Sequence, residues 1–225
     1  MTEKVDFDQY TDNYNELLRE GTKFFSSNEE YFARYKIELV RKYAHQPVGR
    51  ILEYGCGIGR NISYLKTAFP GAEVIGTDIS EAGLALAAKE NPGVRFEVER
   101  AGLDVGTFDL IFVAGVFHHV AVAERAGVSQ VLHDRLNPKG SLFVFEHNPY
   151  NPVTRRIVDT CPYDADAVLL RPSELKALLC GTGLKSDRRA YCLFVPPKLS
   201  WLMPLENWLQ WLPMGGQYWV SAHKA

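Results

Sequence analysis

The chain has 225 residues, enough for one or two domains at about 150 residues each and for a full core without disulfides or a structural metal. Its 25 Lys and Arg against 27 Asp and Glu give a net charge of −2, and 46% of its residues are apolar. That balance excludes a disordered charged tail and a dedicated nucleic-acid binder with a global basic field, but does not separate an enzyme from a binding module.

The chain opens Met1-Thr2-Glu3-Lys4-Val5-Asp6-Phe7-Asp8, without the basic start and apolar run of an export signal, so a cytoplasmic location is expected. Residues 9–19 read as a helix. Asn28 is placed to cap a second one, whose apolar residues Tyr31, Phe32, Tyr35, Leu39 and Tyr43 recur at a near-helical period. From residue 50 the rhythm changes. Residues 51–54 read as a strand running into Gly55-Cys56-Gly57-Ile58-Gly59, and residues 60–68 as a helix. Residues 73–77 form the next strand, followed by Asp78. Ser80 caps a helix over 81–89, which Asn91-Pro92-Gly93 stops. Strands follow at 94–98 and 108–113, a helix at 121–136 and a strand at 141–145. Strands alternating with helices in units of about 30 residues predict a parallel sheet with helices on both faces.

Residues 147–172 read as a long functional connection rich in Asn, Pro and Arg. A helix starts at Pro172 and ends at Gly181 or Gly183. Residues 185–195 and 217–223 read as closing strands. Between them, residues 196–216 are rich in Leu, Pro and Trp and suit an acceptor pocket, a membrane surface, a dimer contact or a helix packed on the sheet. No stretch approaches the roughly 18 apolar residues of a membrane span. Cys56, Cys161, Cys180 and Cys192 contain no C-x-x-C pair, so no metal is expected, and scattered thiols suit a reducing compartment.

Open α/β sheets bind ligands beyond the carboxyl ends of their strands. The glycine loop stands at such an end, with a helix N-terminus behind it. Asp78, 19 residues after Gly59, ends the next strand, where a carboxylate suits a ribose diol. A nicotinamide site wants G-x-G-x-x-G, and the third glycine position is Arg60. The loop Glu53-Tyr54-Gly55-Cys56-Gly57-Ile58-Gly59 instead resembles the first motif of class I S-adenosylmethionine-dependent methyltransferases, of the bacterial small-molecule type. Further resemblances follow in order at Gly76-Thr77-Asp78-Ile79-Ser80, at Phe108-Asp109-Leu110-Ile111-Phe112-Val113, at Val116-Phe117-His118-His119-Val120 and at Leu136-Asn137-Pro138-Lys139-Gly140.

The resemblance implies a Rossmann-like, seven-stranded, mostly parallel sheet with its last strand antiparallel and an N-terminal helical lid. One methyltransferase domain is expected over 1–225, with the lid at 1–46, the half that binds S-adenosylmethionine at 47–147, and acceptor binding and closing strands at 148–225. It implies cofactor contacts from Tyr14, Glu53, Gly55, Cys56, Gly57, Gly59, Asp78, Ile79, Ala114 and Gly115. Glu99 is the nearest acidic residue to the position that faces the adenine amine. His119 is the first candidate for a general base, with His118, Glu146 and His147 beside it. The stretch Glu146-His147-Asn148-Pro149-Tyr150-Asn151-Pro152-Val153-Thr154-Arg155-Arg156 is similar to one in bacterial small-molecule methyltransferases, and suggests acceptor contacts from Asn148, Tyr150, Arg155 and Arg156, joined by Tyr10.

The function so implied is methyl transfer by in-line displacement to a hydrophobic or anionic small molecule, at oxygen or nitrogen rather than carbon. Nucleic acid is not an expected partner, and a homodimer is an open expectation. The alternatives are a catalytically silent module of the same fold and a nicotinamide-dependent oxidoreductase.

Overall fold

The computed structural model describes Val5, Asp8 and residues 29–45 and 47–225. Tyr10, Tyr14 and the helix expected at 9–19 lie outside the described residues. Helix α1 is Glu29–Tyr43; then come β1 (Arg50–Tyr54), α2 (Ile62–Ala68), β2 (Glu73–Asp78), α3 (Glu81–Glu90), β3 (Arg95–Val98) and β4 (Phe108–Ala114). The second half adds α4 (Arg125–Asp134), β5 (Leu136–His147), α5 (Pro152–Thr160), α6 (Pro172–Gly181), β6 (Lys185–Cys192), α7 (Met203–Leu209) and β7 (Gln217–His223). The seven strands form one sheet in the order β3-β2-β1-β4-β5-β7-β6. β7 pairs antiparallel with both β5 and β6, and the other pairs are parallel, so the last strand alone runs against the rest, as the resemblance implied.

Strand alternation sorts the core into two layers. Ile111 and Val113 of β4, Leu142 and Val144 of β5, and Tyr218 and Val220 of β7 share one cluster with Leu132 of α4 and Leu175 and Leu179 of α6. Leu110, Phe112, Phe143, Phe145 and Trp219 belong to the other, with Tyr35, Ile37 and Val40 of α1 and Ile62 and Leu65 of α2. The sheet is thus covered on both faces, which leaves the carboxyl ends of its strands as the place for a site.

Three expectations are corrected. The connection at 147–172 contains α5, because the Asn151 side chain accepts from Val153 N at 2.9 Å and Thr154 N at 3.2 Å and Pro152 pre-sets the first turn. The strand expected to reach residue 195 stops at Cys192, because Leu193 turns to a φ of 61°. Phe194 N and Val195 N then donate to Glu206 Oε1 instead of to a ladder. The helix expected over 121–136 is shorter, since Leu136 already pairs with Phe108 in the sheet. In the stretch 196–216, Trp201, Trp208 and Trp211 are exposed around α7.

Asn148 has no exposed surface. Its Nδ2 donates to Pro213 O at 3.2 Å and Gly215 O at 2.7 Å, and its Oδ1 accepts from Tyr150 N at 3.0 Å. It clips the start of α5 to the chain entering β7. Replacing it by Ala takes the partner from Tyr150 N and Pro213 O and leaves Gly215 O with only the longer bond from Asn151 Nδ2 at 3.3 Å. Asn148→Ala is expected to cost about 3 kcal/mol of stability, read as a lower urea midpoint with an unchanged slope.

Candidate active site

The strand order reverses between β1 and β4, and a cavity of about 360 Å³ opens above their carboxyl ends. One end of it is built by the loop after β1. Gly55 N and Cys56 N both donate to Thr77 O, at 2.8 and 3.0 Å, which fixes the loop on β2. Gly55 has a φ of 70°, and a Cβ there would stand 2.3 Å from Val116 Cγ2, so no side chain is tolerated. Gly57 has a φ of 51° and a Cβ there would meet nothing within 4 Å, because it would project into open space beside the cavity wall that Gly57 lines. Cys56 is buried below the loop, and Gly59 packs on Ala87 of α3.

Asp78 ends β2 facing this loop. Its Oδ2 accepts from Gly57 N at 2.7 Å and its Oδ1 from Ser80 N at 2.9 Å. Burial raises its pKa above the usual carboxylate value, and these backbone amides pull against that shift. Ile79 beside it is 53% exposed, an apolar face offered at the cavity edge. Glu99 also lines the cavity, but both its oxygens accept from Arg135, at 2.7 and 2.9 Å. Ala114 and Gly115 form the floor after β4.

Glu53 is buried at the carboxyl side of β1. Its Oε1 accepts from Asn61 Nδ2 at 2.6 Å, while its Oε2 has no hydrogen-bond partner among the described residues. Burial pushes its pKa up to about 8, against the Asn61 hydrogen bond and the charge of Lys36. Lys36, from α1, lines the cavity and has its own pKa lowered by burial. An unsatisfied buried carboxyl beside a lysine suits a ligand carrying both an ammonium and a carboxylate.

The other end of the cavity is lined by His118, His119, His147, Cys161, Tyr163 and Asp164. Glu146 stands behind them with no exposed surface. It accepts from Val116 N at 3.0 Å, Phe117 N at 2.8 Å and His118 Nδ1 at 2.6 Å. Burial disfavours a charged His118, but Glu146 and Asp164 outweigh it and push the pKa up to about 9; burial and the His118 charge hold His147 down to about 4. His118 Nε2 lies 3.5 Å and His119 Nε2 3.4 Å from Asp164 Oδ1, and His119 Nδ1 lies 3.0 Å from Asp166 Oδ1. A carboxylate only accepts, so Nδ1 of His118 and of His119 carries a proton toward Glu146 and Asp166, and Nε2 of both rings turns to Asp164 on the cavity side.

The structure therefore brings together most of the sequence-derived residues and separates others. His118, His119 and His147 share one wall, with Glu146 as their support. Asn148, Tyr150, Arg155 and Arg156 do not line the cavity: Asn148 is consumed by the chain, and the other three are exposed on and before α5. Lys36, Asp164 and Asp166 were missed. Lys36 had a signal, a charge between Ala33, Ile37 and Val40 on the buried side of α1. The two aspartates had none, because nothing in their spacing ties them to the histidines.

Residues 52–142 match a family model described as a methyltransferase domain. A trans-aconitate 2-methyltransferase of Acidovorax sp. (strain JS42) is 40% identical over 122 residues, which are 52% of this chain and 45% of that protein. The chain thus spans less than half the length of this relative. Among solved structures, an S-adenosylmethionine-dependent methyltransferase from Archaeoglobus fulgidus superposes with a TM-score of 0.68 at 15% identity, covering 90% of this chain and 97% of that one. The magnesium protoporphyrin IX methyltransferase of Synechocystis PCC 6803, solved with bound S-adenosylhomocysteine, gives 0.67 at 15% identity, with 97% of each chain covered. Fold and cavity define the class: an α/β protein with the class I methyltransferase sheet. Residues 52–142 within it are similar to a methyltransferase domain, and the solved proteins that share the fold include S-adenosylmethionine-dependent methyltransferases.

The residues present fit that cofactor. The orphaned Glu53 oxygen suits its ammonium, the space beside Gly57 admits its backbone-hugging tail, and Asp78 can accept both ribose hydroxyls. Two charge-assisted hydrogen bonds are at stake at Asp78, so Asp78→Ala is expected to weaken S-adenosylhomocysteine binding by about 100-fold in calorimetry.

Proposed function

We propose that this protein transfers a methyl group to an oxygen or nitrogen of a small-molecule acceptor by in-line displacement, with His119 as general base. S-adenosylmethionine supplies the activated methyl on its sulfonium sulfur. The observation that carries the reading is the two-ended cavity. The glycine loop and Asp78, with Glu53 buried behind the loop, form an end for a charged nucleoside, and a histidine wall faces it across the floor at Ala114 and Gly115.

Glu53 and Lys36 hold the amino-acid end of the cofactor, Asp78 the ribose and Ile79 one face of the adenine. Glu99 keeps to the adenine side what acceptor capacity Arg135 leaves it. On the other wall, Asp166 anchors Nδ1–H of His119, so Nε2 takes the proton as the acceptor attacks. Glu146 acts through His118 and the Val116–Phe117 turn, and is a positioning residue. The name of the Acidovorax relative supports a small acceptor, and the near-neutral charge speaks against a polymeric nucleic acid.

The reading extends to the N-terminal segment as a cover over this cavity and to the whole chain as one functional unit. Val5 N donates to Asp166 Oδ2 at 3.1 Å, and Asp8 Oδ1 accepts from Ser80 Oγ at 2.5 Å. Val5 thus meets the histidine wall and Asp8 the end at Asp78 and Ser80. No helix among the described residues is long and apolar enough to cross a membrane.

The deciding experiment is calorimetry with S-adenosylhomocysteine followed by a screen of small acceptors for turnover. Saturable binding and a methylated product are expected; absence of binding overturns the reading. With the acceptor in hand, His119→Asn is expected to lower kcat by about 100-fold while leaving KM for S-adenosylmethionine unchanged; an unchanged kcat removes His119 from the mechanism. Deleting residues 1–25 is expected to weaken S-adenosylhomocysteine binding about tenfold, and unaltered affinity argues against the cover.

A further inference from the structure

The histidine wall carries a feature that base catalysis does not need. Three side chains from three separate segments converge there: His118 from the turn after β4, His147 from the end of β5, and Asp164 from the 3₁₀ turn Pro162–Asp164. Each offers one ligand atom, and these atoms lie within 4.8 Å of one another. We infer that His118, His147 and Asp164 form a binding site for a divalent transition-metal ion of the zinc type, whose open positions take the acceptor. The role given to the open positions rests on reading this end of the cavity as the acceptor side; the site itself does not.

The geometry supports it in four ways. Two ligands on a tetrahedral ion at about 2.0 Å stand about 3.3 Å apart, and His118 Nε2 lies 3.5 Å from Asp164 Oδ1. The His147 ring lies 4.9 Å from that of His118, centre to centre, so a small side-chain rotation brings the third ligand in. Second, Glu146 accepts from Nδ1 of His118 at 2.6 Å. A carboxylate behind a histidine in this way fixes the tautomer and leaves Nε2 for a metal. Third, two imidazoles and one carboxylate are a borderline donor set, suited to zinc, cobalt or ferrous iron more than to magnesium or calcium. Fourth, all three residues line the cavity, so an ion held by them keeps positions open to a ligand, as catalytic rather than structural sites do.

The surroundings suit a dication. Glu146, Asp164 and Asp166 bring three carboxylates to one wall, and the ion takes the place of the proton between His118 and Asp164. His119 stays outside the ligand set, with Nε2 beside it. An acceptor hydroxyl on the ion loses proton affinity, so its O–H bond breaks toward His119 Nε2 more easily.

A second group, His45, Asp187 and His223, lies at the surface, where His223 Nδ1 meets Asp187 Oδ1 at 2.6 Å. It would take up metal nonspecifically, so the test uses the full chain carrying His45→Gln and His223→Gln. This protein, stripped with a chelator, is titrated with zinc by calorimetry and with cobalt by visible absorption. One equivalent of each metal is expected, with the visible bands of low-coordinate cobalt. Asp164→Asn and His147→Gln are each expected to weaken zinc binding by more than about tenfold, while His119→Gln keeps the stoichiometry and the spectrum. Thermal unfolding checks that each variant is folded; if Asp164→Asn is not, His147→Gln and the parent cobalt spectrum decide. No saturable zinc uptake, or equal affinity in His147→Gln, overturns the metal site. S-adenosylhomocysteine calorimetry on the stripped protein keeps the two readings apart: binding retained without zinc uptake sinks the metal alone, and loss of nucleoside binding sinks the methyltransferase reading.

Discussion

Glu146 sits without exposed surface at the carboxyl end of β5, and three donors from the neighbouring β4 turn converge on it: Val116 N, Phe117 N and His118 Nδ1. An ionised carboxylate this deep persists only because those donors replace water. Burial acts to raise its pKa, and the His118 charge is the largest of the contacts that hold it below the usual glutamate value instead. The arrangement ties strand to turn and turn to histidine. Without it the loop after β4 would have two buried amides unpaired, and His118 would lose the contact that fixes its ring. The shape of the histidine wall and the floor of the cavity both depend on this one side chain.

The two ends of the cavity are made by different means. At the ribose end the work falls largely on backbone: Gly57 N holds Asp78, and Thr77 O holds Gly55 and Cys56. Positive φ at Gly55 and Gly57 lets the chain pass close under a ligand. Such a device is set by the β1–β2 register, in which Tyr54 stands opposite Thr77. At the histidine end the polar groups are side chains brought from β4, β5 and the 162–164 turn, and their relative placement depends on packing across more than 40 residues of sequence.

This difference explains what could be read from residues alone. Alternating strands and helices, the glycine loop and the aspartate 19 residues on are local patterns, and a parallel sheet with helices on both faces and a glycine-lined end to its cavity follow from them. His118 and His119 were visible because they stand directly after β4. Their partners were not, since Asp164 and Asp166 sit in a Pro- and Asp-containing turn whose course depends on α5 and its Asn151 cap. Asn148 was misassigned for a related reason. An asparagine after a strand serves an acceptor or the chain equally well, and only the return of residues 213–215 past it shows that the chain takes all three of its hydrogen bonds.

The same contrast bears on how acceptor choice is encoded. The methyltransferase-domain model matches residues 52–142, which hold the glycine loop, Asp78, Glu99 and both histidines of the β4 turn. His147, Asp164 and Asp166 fall beyond that stretch. Backbone-made features tolerate many side-chain changes so long as the register and glycines remain. A wall of titratable side chains does not, because each carboxylate there is balanced by a neighbouring imidazole, and replacing one leaves the other buried without its partner. A single replacement in the histidine wall is therefore costly. Under the proposed function, acceptor selectivity rests on His118, His119, His147, Asp164 and Asp166, which lie at the cavity wall, rather than on the exposed Arg155 and Arg156.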